Sequence, residues 1–226
     1  MEPEILIKYN IASEWMVFVF LTLLFVLAWV RMEYPKRYGR LIKSFVSQQS
    51  MFQVMREELV YSHRASISLT FVFVFSASIF LTLAGMFFGY SWSISGDKYL
   101  QFFIWVGVIM SVYLVRWILS GITASLLRDN VYIRTHLFLI SIVNKVIGLL
   151  LLPLSILAAY LSVETGKKII YIGFVLWSLI MIYRLLKEFI FSREYKIPYL
   201  YFILYLCAFE ISPIIIGLKV GELLNK

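Results

Sequence analysis

The stretch from Tyr199 to Gly217, YLYFILYLCAFEISPIIIG, carries a single formal charge, Glu210, in a run otherwise suited to hydrocarbon. As a helix it crosses roughly 30 Å of bilayer. Glu210 falls near its middle, where a carboxylate is costly unless paired, neutral or wetted. Three residues later Pro213 removes a backbone donor and frees a carbonyl one turn back, so a kink is expected beside the acid.

Similar runs recur along the chain. They lie near Trp15 to Val30, Ile67 to Gly89, Leu100 to Leu119, Leu137 to Leu161 and Ile169 to Tyr183, which makes about six spans with the first. The composition agrees: 62% of the 226 residues are hydrophobic, only 15% are charged, and the mean hydropathy is +0.87. No ordinary soluble domain has that balance. Backbone groups in lipid must be satisfied within the segment, and these runs are too long and too uniformly apolar for barrel strands. The fold expected is all-α, a polytopic transmembrane helical bundle forming one domain over 1–226. The first run reads as a retained anchor, because the residues before it are acidic (Glu2, Glu4, Glu14) and no small-residue cleavage site interrupts it.

Basic residues set the expected topology. Arg31, Lys36, Arg37, Arg40, Lys43, Arg56 and Arg64 lie between the first and second runs, Arg128 and Arg134 between the third and fourth, and Arg184, Lys187, Arg193 and Lys196 between the fifth and sixth. The opposite side carries fewer, spread over four segments. The excess places these three loops in the cytoplasm and both termini outside it. The net charge of +8 then reflects topology and attraction to anionic lipid headgroups, and no basic domain is left to hold nucleic acid. Within the long loop 31–64, Leu41, Phe45, Phe52, Met55 and Leu59 recur near helical spacing. They predict an amphipathic helix on the cytoplasmic interface, either a plain connector or a face that meets headgroups or a partner.

Three intramembrane side chains stand out beside Glu210. Arg116 stands in LVRWIL near the cytoplasmic end of the third run, and Asn144 and Lys145 in IVNKVIGLLLLP about two turns into the fourth. A pair of Glu210 with Lys145 or Arg116 is sterically reasonable on this topology. The plain reading is a salt bridge pinning two helices. The sharper one is a polar cavity in which Arg116 and Lys145 hold a phosphate or carboxylate, with Glu210 as counter-ion or proton carrier. Pro153 marks a second helix break.

Other chemistry has little support. His63 and His136 lack acidic neighbours at ligand spacing, the single Cys207 excludes a multi-cysteine cluster, and no serine stands in a nucleophile elbow, so no metal, no cofactor and no catalytic residue are expected. Gly85 to Gly89 and Gly217 to Gly221 have a spacing that permits close helix packing or a homo-oligomer.

The segments NKVIGLLLLPL (Asn144 to Leu154) and YFILYLCAFEISPIIIGLK (Tyr201 to Lys219) resemble the best-marked parts of an uncharacterised Bacteroidetes family of multi-spanning membrane proteins, defined only as a domain of unknown function. The resemblance takes in Arg184 and most of the chain after the long loop. It implies a bacterial inner-membrane location, singles out Asn144, Lys145, Pro153, Glu210 and Pro213, and brings no activity. Two functions compete: transport or handling of an anionic or lipid-linked substrate, and a non-catalytic subunit or assembly factor of a larger envelope complex. A membrane enzyme with Glu210 as base is a weaker third, since the acid lies deep.

Overall fold

Residues 14–33, 63–88, 98–126 and 130–194 are described in a computed structural model. They form five helices: α1 (Glu14–Glu33), α2 (His63–Phe88), α3 (Lys98–Leu126), α4 (Asn130–Tyr160) and α5 (Val163–Glu194). No strand occurs among the described residues. All five are long and apolar enough to cross a membrane, the architecture of an integral membrane protein. The sixth expected span, Tyr199 to Gly217, and nearly all of the 31–64 loop with its amphipathic helix lie outside the described residues.

Two helices form the centre. Over its most apolar 18 residues, α2 is 67% buried and α4 61%, against 22% for α1, 11% for α3 and 17% for α5. Each of the other helices packs against α2, while α3 and α5 also touch α4. Phe73, Val74, Ala77, Phe80 and Leu83 of α2 join Val143, Ile147, Leu151 and Ala158 of α4 in the main core, with Met16, Phe20 and Leu23 of α1 on its flank. Buried hydroxyls on α2 bond within their own helix: Ser78 Oγ donates to the Val74 carbonyl at 2.7 Å and Thr82 Oγ1 to that of Ser78 at 2.8 Å. This spares the hydrocarbon an unsatisfied polar group.

Glycines fix how the helices meet. A Cβ placed on Gly148 of α4 would lie 2.6 Å from Phe73 Cα, so the two backbones are in contact there. On α5, a Cβ at Gly166 would lie 2.5 Å from Phe87 Cζ, and one at Gly173 the same distance from the Phe80 ring. The seven residues from Gly166 to Gly173 thus run against the seven from Phe87 back to Phe80, and α5 lies antiparallel to α2. Phe80 also meets Phe174 and Trp177 edge-on.

The α4–α5 turn is tight. Leu161 and Ser162 connect the helices, the Ser162 carbonyl accepts from Gly166 N–H at 2.7 Å, and Ser162 Oγ shares a hydrogen bond with Thr165 Oγ1 at 2.8 Å. A serine in that place is a favoured N-cap, and Glu164 in the first turn suits the positive end of the helix dipole.

Two boundaries differ from the sequence reading. The apolar span of α5 is Val163–Phe189, wider than Ile169 to Tyr183, because Arg184 and Glu188 are turned inward and do not end the helix. Arg184 is therefore a buried helix residue and not part of a cytoplasmic loop. Pro153, read as a helix break, lies inside α4, which continues to Tyr160. The proline is exposed, so its ring stands away from the α2 contact and the helix packs on past it.

The glycine contact predicts a sharp contrast. Gly148→Ala is expected to cost about 1–3 kcal/mol by overpacking against Phe73, whereas Gly107→Ala on α3, where nothing lies within 4 Å of the new Cβ, should leave stability unchanged or raised. Thermal unfolding of the two detergent-solubilised variants reads this directly, and equal midpoints would refute the α2–α4 contact.

Candidate functional site: a polar layer across four helices

The parallel contact of α2 with α4 determines where Lys145 reaches. From Gly148, Lys145 is three residues back along α4; from Phe73, Ser66 is seven residues back along α2. At 1.5 Å per residue the two Cα atoms differ in height by about 6 Å, the reach of an extended lysine. Helical side chains lean toward the N-terminus of their own helix, which is the direction required. Lys145 Nζ donates to Ser66 Oγ at 2.8 Å, and the lysine is 2% exposed. The amine thus sits level with the first residue of the α2 apolar span, Ser66–Phe88. Lys145 snorkels within the protein.

The neighbouring Asn144 turns to α3. Its Nδ2 donates to Tyr113 Oη at 2.5 Å, and the Tyr113 ring lies 6.0 Å from that of Phe73. Arg116 belongs to the same helix one turn further on, with its side chain outside what is described. Asn144 and Lys145 are adjacent, so α4 sends one polar group to each neighbour.

On α5 the inward stripe runs Gly166, Ile170, Gly173, Trp177, Met181, Arg184, Glu188. Its first part packs on α2 and its last two members are charged. Arg184 Nε donates to Glu188 Oε1 at 2.8 Å, with both side chains 2% exposed, and Arg184 Nη1 approaches Met181 Sδ at 3.8 Å. Continuing the antiparallel register from Gly173 and Phe80 for fourteen residues brings Lys187 level with Ser66. Arg184 and Glu188 flank that height.

By helix register, Ser66, Tyr113, Asn144, Lys145, Arg184 and Glu188, drawn from α2, α3, α4 and α5, fall at similar heights and mark one polar layer near the end of the bundle where α2 and α4 begin. Sequence reasoning named Asn144, Lys145 and Arg184 and missed the other three. The signal for Glu188 was present: Arg184 and Glu188 stand four apart, the spacing of an intrahelical ion pair. Glu210 and Pro213 lie outside the described residues. No group of three histidine, cysteine, aspartate or glutamate side chains placed to hold a metal occurs among the described residues. Chemically, the layer offers a hydroxyl, a phenol, an amide, an ammonium and a guanidinium, all capable of donating to an oxyanion.

Residues 16–220 match the model of a family described as Domain of unknown function (DUF4271), and the chain belongs to that family. The match contains every residue of the layer. Comparison with curated proteins and with solved structures returned no match.

The buried pair has a distinct mutational signature. Glu188→Met alone is expected to cost about 3–5 kcal/mol by removing the carboxylate bonded to a buried guanidinium. Arg184→Met combined with Glu188→Met should cost much less than the sum of the single changes. Unfolding midpoints of the four proteins of this cycle test it; additive costs would mean that the two charges act independently.

Proposed function

We propose that this protein is a multi-pass protein of a bacterial inner membrane, a single membrane domain with both termini outside the cytoplasm, that binds and handles an anionic or lipid-linked group in the polar layer. One observation carries the reading. Lys145 and Arg184 are fully buried on two different helices and fall at similar heights by register, Lys145 with a serine hydroxyl on its amine and Arg184 with the Glu188 carboxylate on its guanidinium. Two buried cations are expensive in hydrocarbon, and together with neutral donors they make the chemistry that receives a phosphoryl or carboxylate oxygen. The positive-inside pattern sets this end of the bundle at the cytoplasmic leaflet. The reading also gives Arg116 the role of a further cation and Glu210 that of counter-ion or proton carrier, both side chains lying outside those described.

The structural alternative is a non-catalytic subunit or assembly factor of an envelope complex. It is favoured by the two cross-helix bonds, Lys145 to Ser66 and Asn144 to Tyr113, which hold α4 to its neighbours. The exposed Phe103, Met110 and Leu114 of α3 would face either lipid or that partner.

Thermal stability separates the two. The purified full-length protein is expected to unfold at a higher temperature with inorganic phosphate in detergent, or in nanodiscs containing phosphatidylglycerol as against phosphatidylcholine alone. Saturation at about a hundred times Kd corresponds to roughly 2.7 kcal/mol. Lys145→Gln should fold and lose the shift. A wild-type midpoint unmoved by both anions would reject anion handling and leave the subunit reading.

A further inference from the structure

The two sides of α5 differ in kind. Its inward stripe packs on α2 and ends in the Arg184–Glu188 pair. Its outward stripe runs Lys168, Tyr171, Val175, Leu179, Ile182, Leu186, spaced by three or four residues and exposed at every position. Lys167, beside Lys168, is exposed as well. At the other end Lys187 lies over the Tyr183 ring, 4.9 Å from its centroid. The apolar part therefore has lysine at both ends, and from Lys168 to Lys187 the helix rises about 29 Å, the thickness of a hydrocarbon core. We propose that this stripe faces lipid acyl chains, with Lys167 and Lys168 at the headgroups of one leaflet and Lys187 at those of the other, so that one edge of the hydrocarbon passes through the polar layer.

Other helices mark the same two planes. At the Lys167–Lys168 end, Tyr171 meets Phe88, the last residue of α2, edge-on at 5.3 Å, and the exposed Tyr160 ends α4. Aromatic side chains collect at such an edge. At the Lys187 end, the register of α5 on α2 leads to Ser66, where the α2 apolar span begins and where Lys145 Nζ is bonded. Val30 of α1 packs with Leu69, one turn from Ser66, and with Leu139 and Ile142 of α4, which brings the exposed Trp29 and Arg31 to that edge. Lipid suits the stripe better than a second helix. Its apolar members are bulky, without the glycine or alanine that lets membrane helices approach closely, whereas Gly166 and Gly173 are on the inward side. Lysines at both ends match the phosphates of two leaflets, which long basic side chains reach by snorkelling.

The test is spin labelling of the full-length protein, with its single cysteine, Cys207, changed to alanine, in liposomes of phosphatidylcholine and phosphatidylglycerol. Lys168→Cys, Tyr171→Cys, Val175→Cys, Leu179→Cys, Ile182→Cys and Leu186→Cys each carry one label. Collisions with oxygen, which partitions into hydrocarbon, are compared with those of a water-soluble nickel chelate. The ratio of oxygen to nickel is expected to peak between Val175 and Leu179 and to fall toward both ends, with nickel prevailing at position 168. Ile172→Cys and Leu176→Cys, at positions also exposed on α5, replace any variant whose label prevents folding. A stripe closed to both reagents would mean that protein covers it, a second copy if the spins broaden one another, and nickel access along its whole length would make it water-lined. Either overturns the lipid assignment. A maximum at Leu186 would set Lys187 and the polar layer inside the hydrocarbon and overturn the boundary. None of these readings depends on whether the layer binds an anion, which the effect of phosphate on unfolding measures separately.

Discussion

The close approach of α2 and α4 at Gly148 sets the position of the remaining polar groups. With hydrogen as its side chain, Gly148 lets its helix meet the Phe73 backbone directly, and a contact between backbones admits little sliding. The register so fixed makes the height difference between Lys145 and Ser66 equal to the length of a lysine side chain. Gly166 and Gly173 do the same for α5 against Phe87 and Phe80, which carries Arg184 and Glu188 to that height. Three glycines and three phenylalanines, none of them polar, thus decide which polar groups meet.

The bonds across the layer differ in kind from the bond within it. Helices are joined by Lys145 donating to a serine hydroxyl and by Asn144 donating to a tyrosine hydroxyl. The ion pair closes within α5. The plain explanation for buried charge in this chain was a salt bridge of Glu210 with Lys145 or Arg116, and Glu210 lies outside the described residues. Apolar residues of similar volume at 184 and 188 would pack at no greater cost.

Much of the architecture was legible in the sequence, because a membrane helix announces itself by length and hydropathy and the five described helices coincide with five expected runs. Asn144 and Lys145 were legible for the same reason: polar residues inside an apolar run are conspicuous. What failed was the boundary of α5. Hydropathy counts Arg184 and Glu188 as an edge, whereas the structure turns them inward and continues the helix. Ser66 and Tyr113 carried no signal of their own, since serines and tyrosines are common in such helices, and only the register set at Gly148 selects these two. Pro153 was read by its missing donor; its exposed position on α4 lets the helix run through.

The layer also has a direction. On one side, the α2 span begins at Ser66 and the α5 span ends at Phe189, so little apolar depth separates the polar groups from that end of the bundle. On the other side, the described residues pack tightly along α2. Phe73 lies against Gly148, Phe80 fills the space over Gly173, and Phe87 over Gly166, three aromatic levels stacked up the axis of α2 and each seated on a glycine. Beyond the polar groups the packed aromatic column runs for roughly 20 Å, at 1.5 Å per residue between Phe73 and Phe87. Opening that column would require separating backbones that touch.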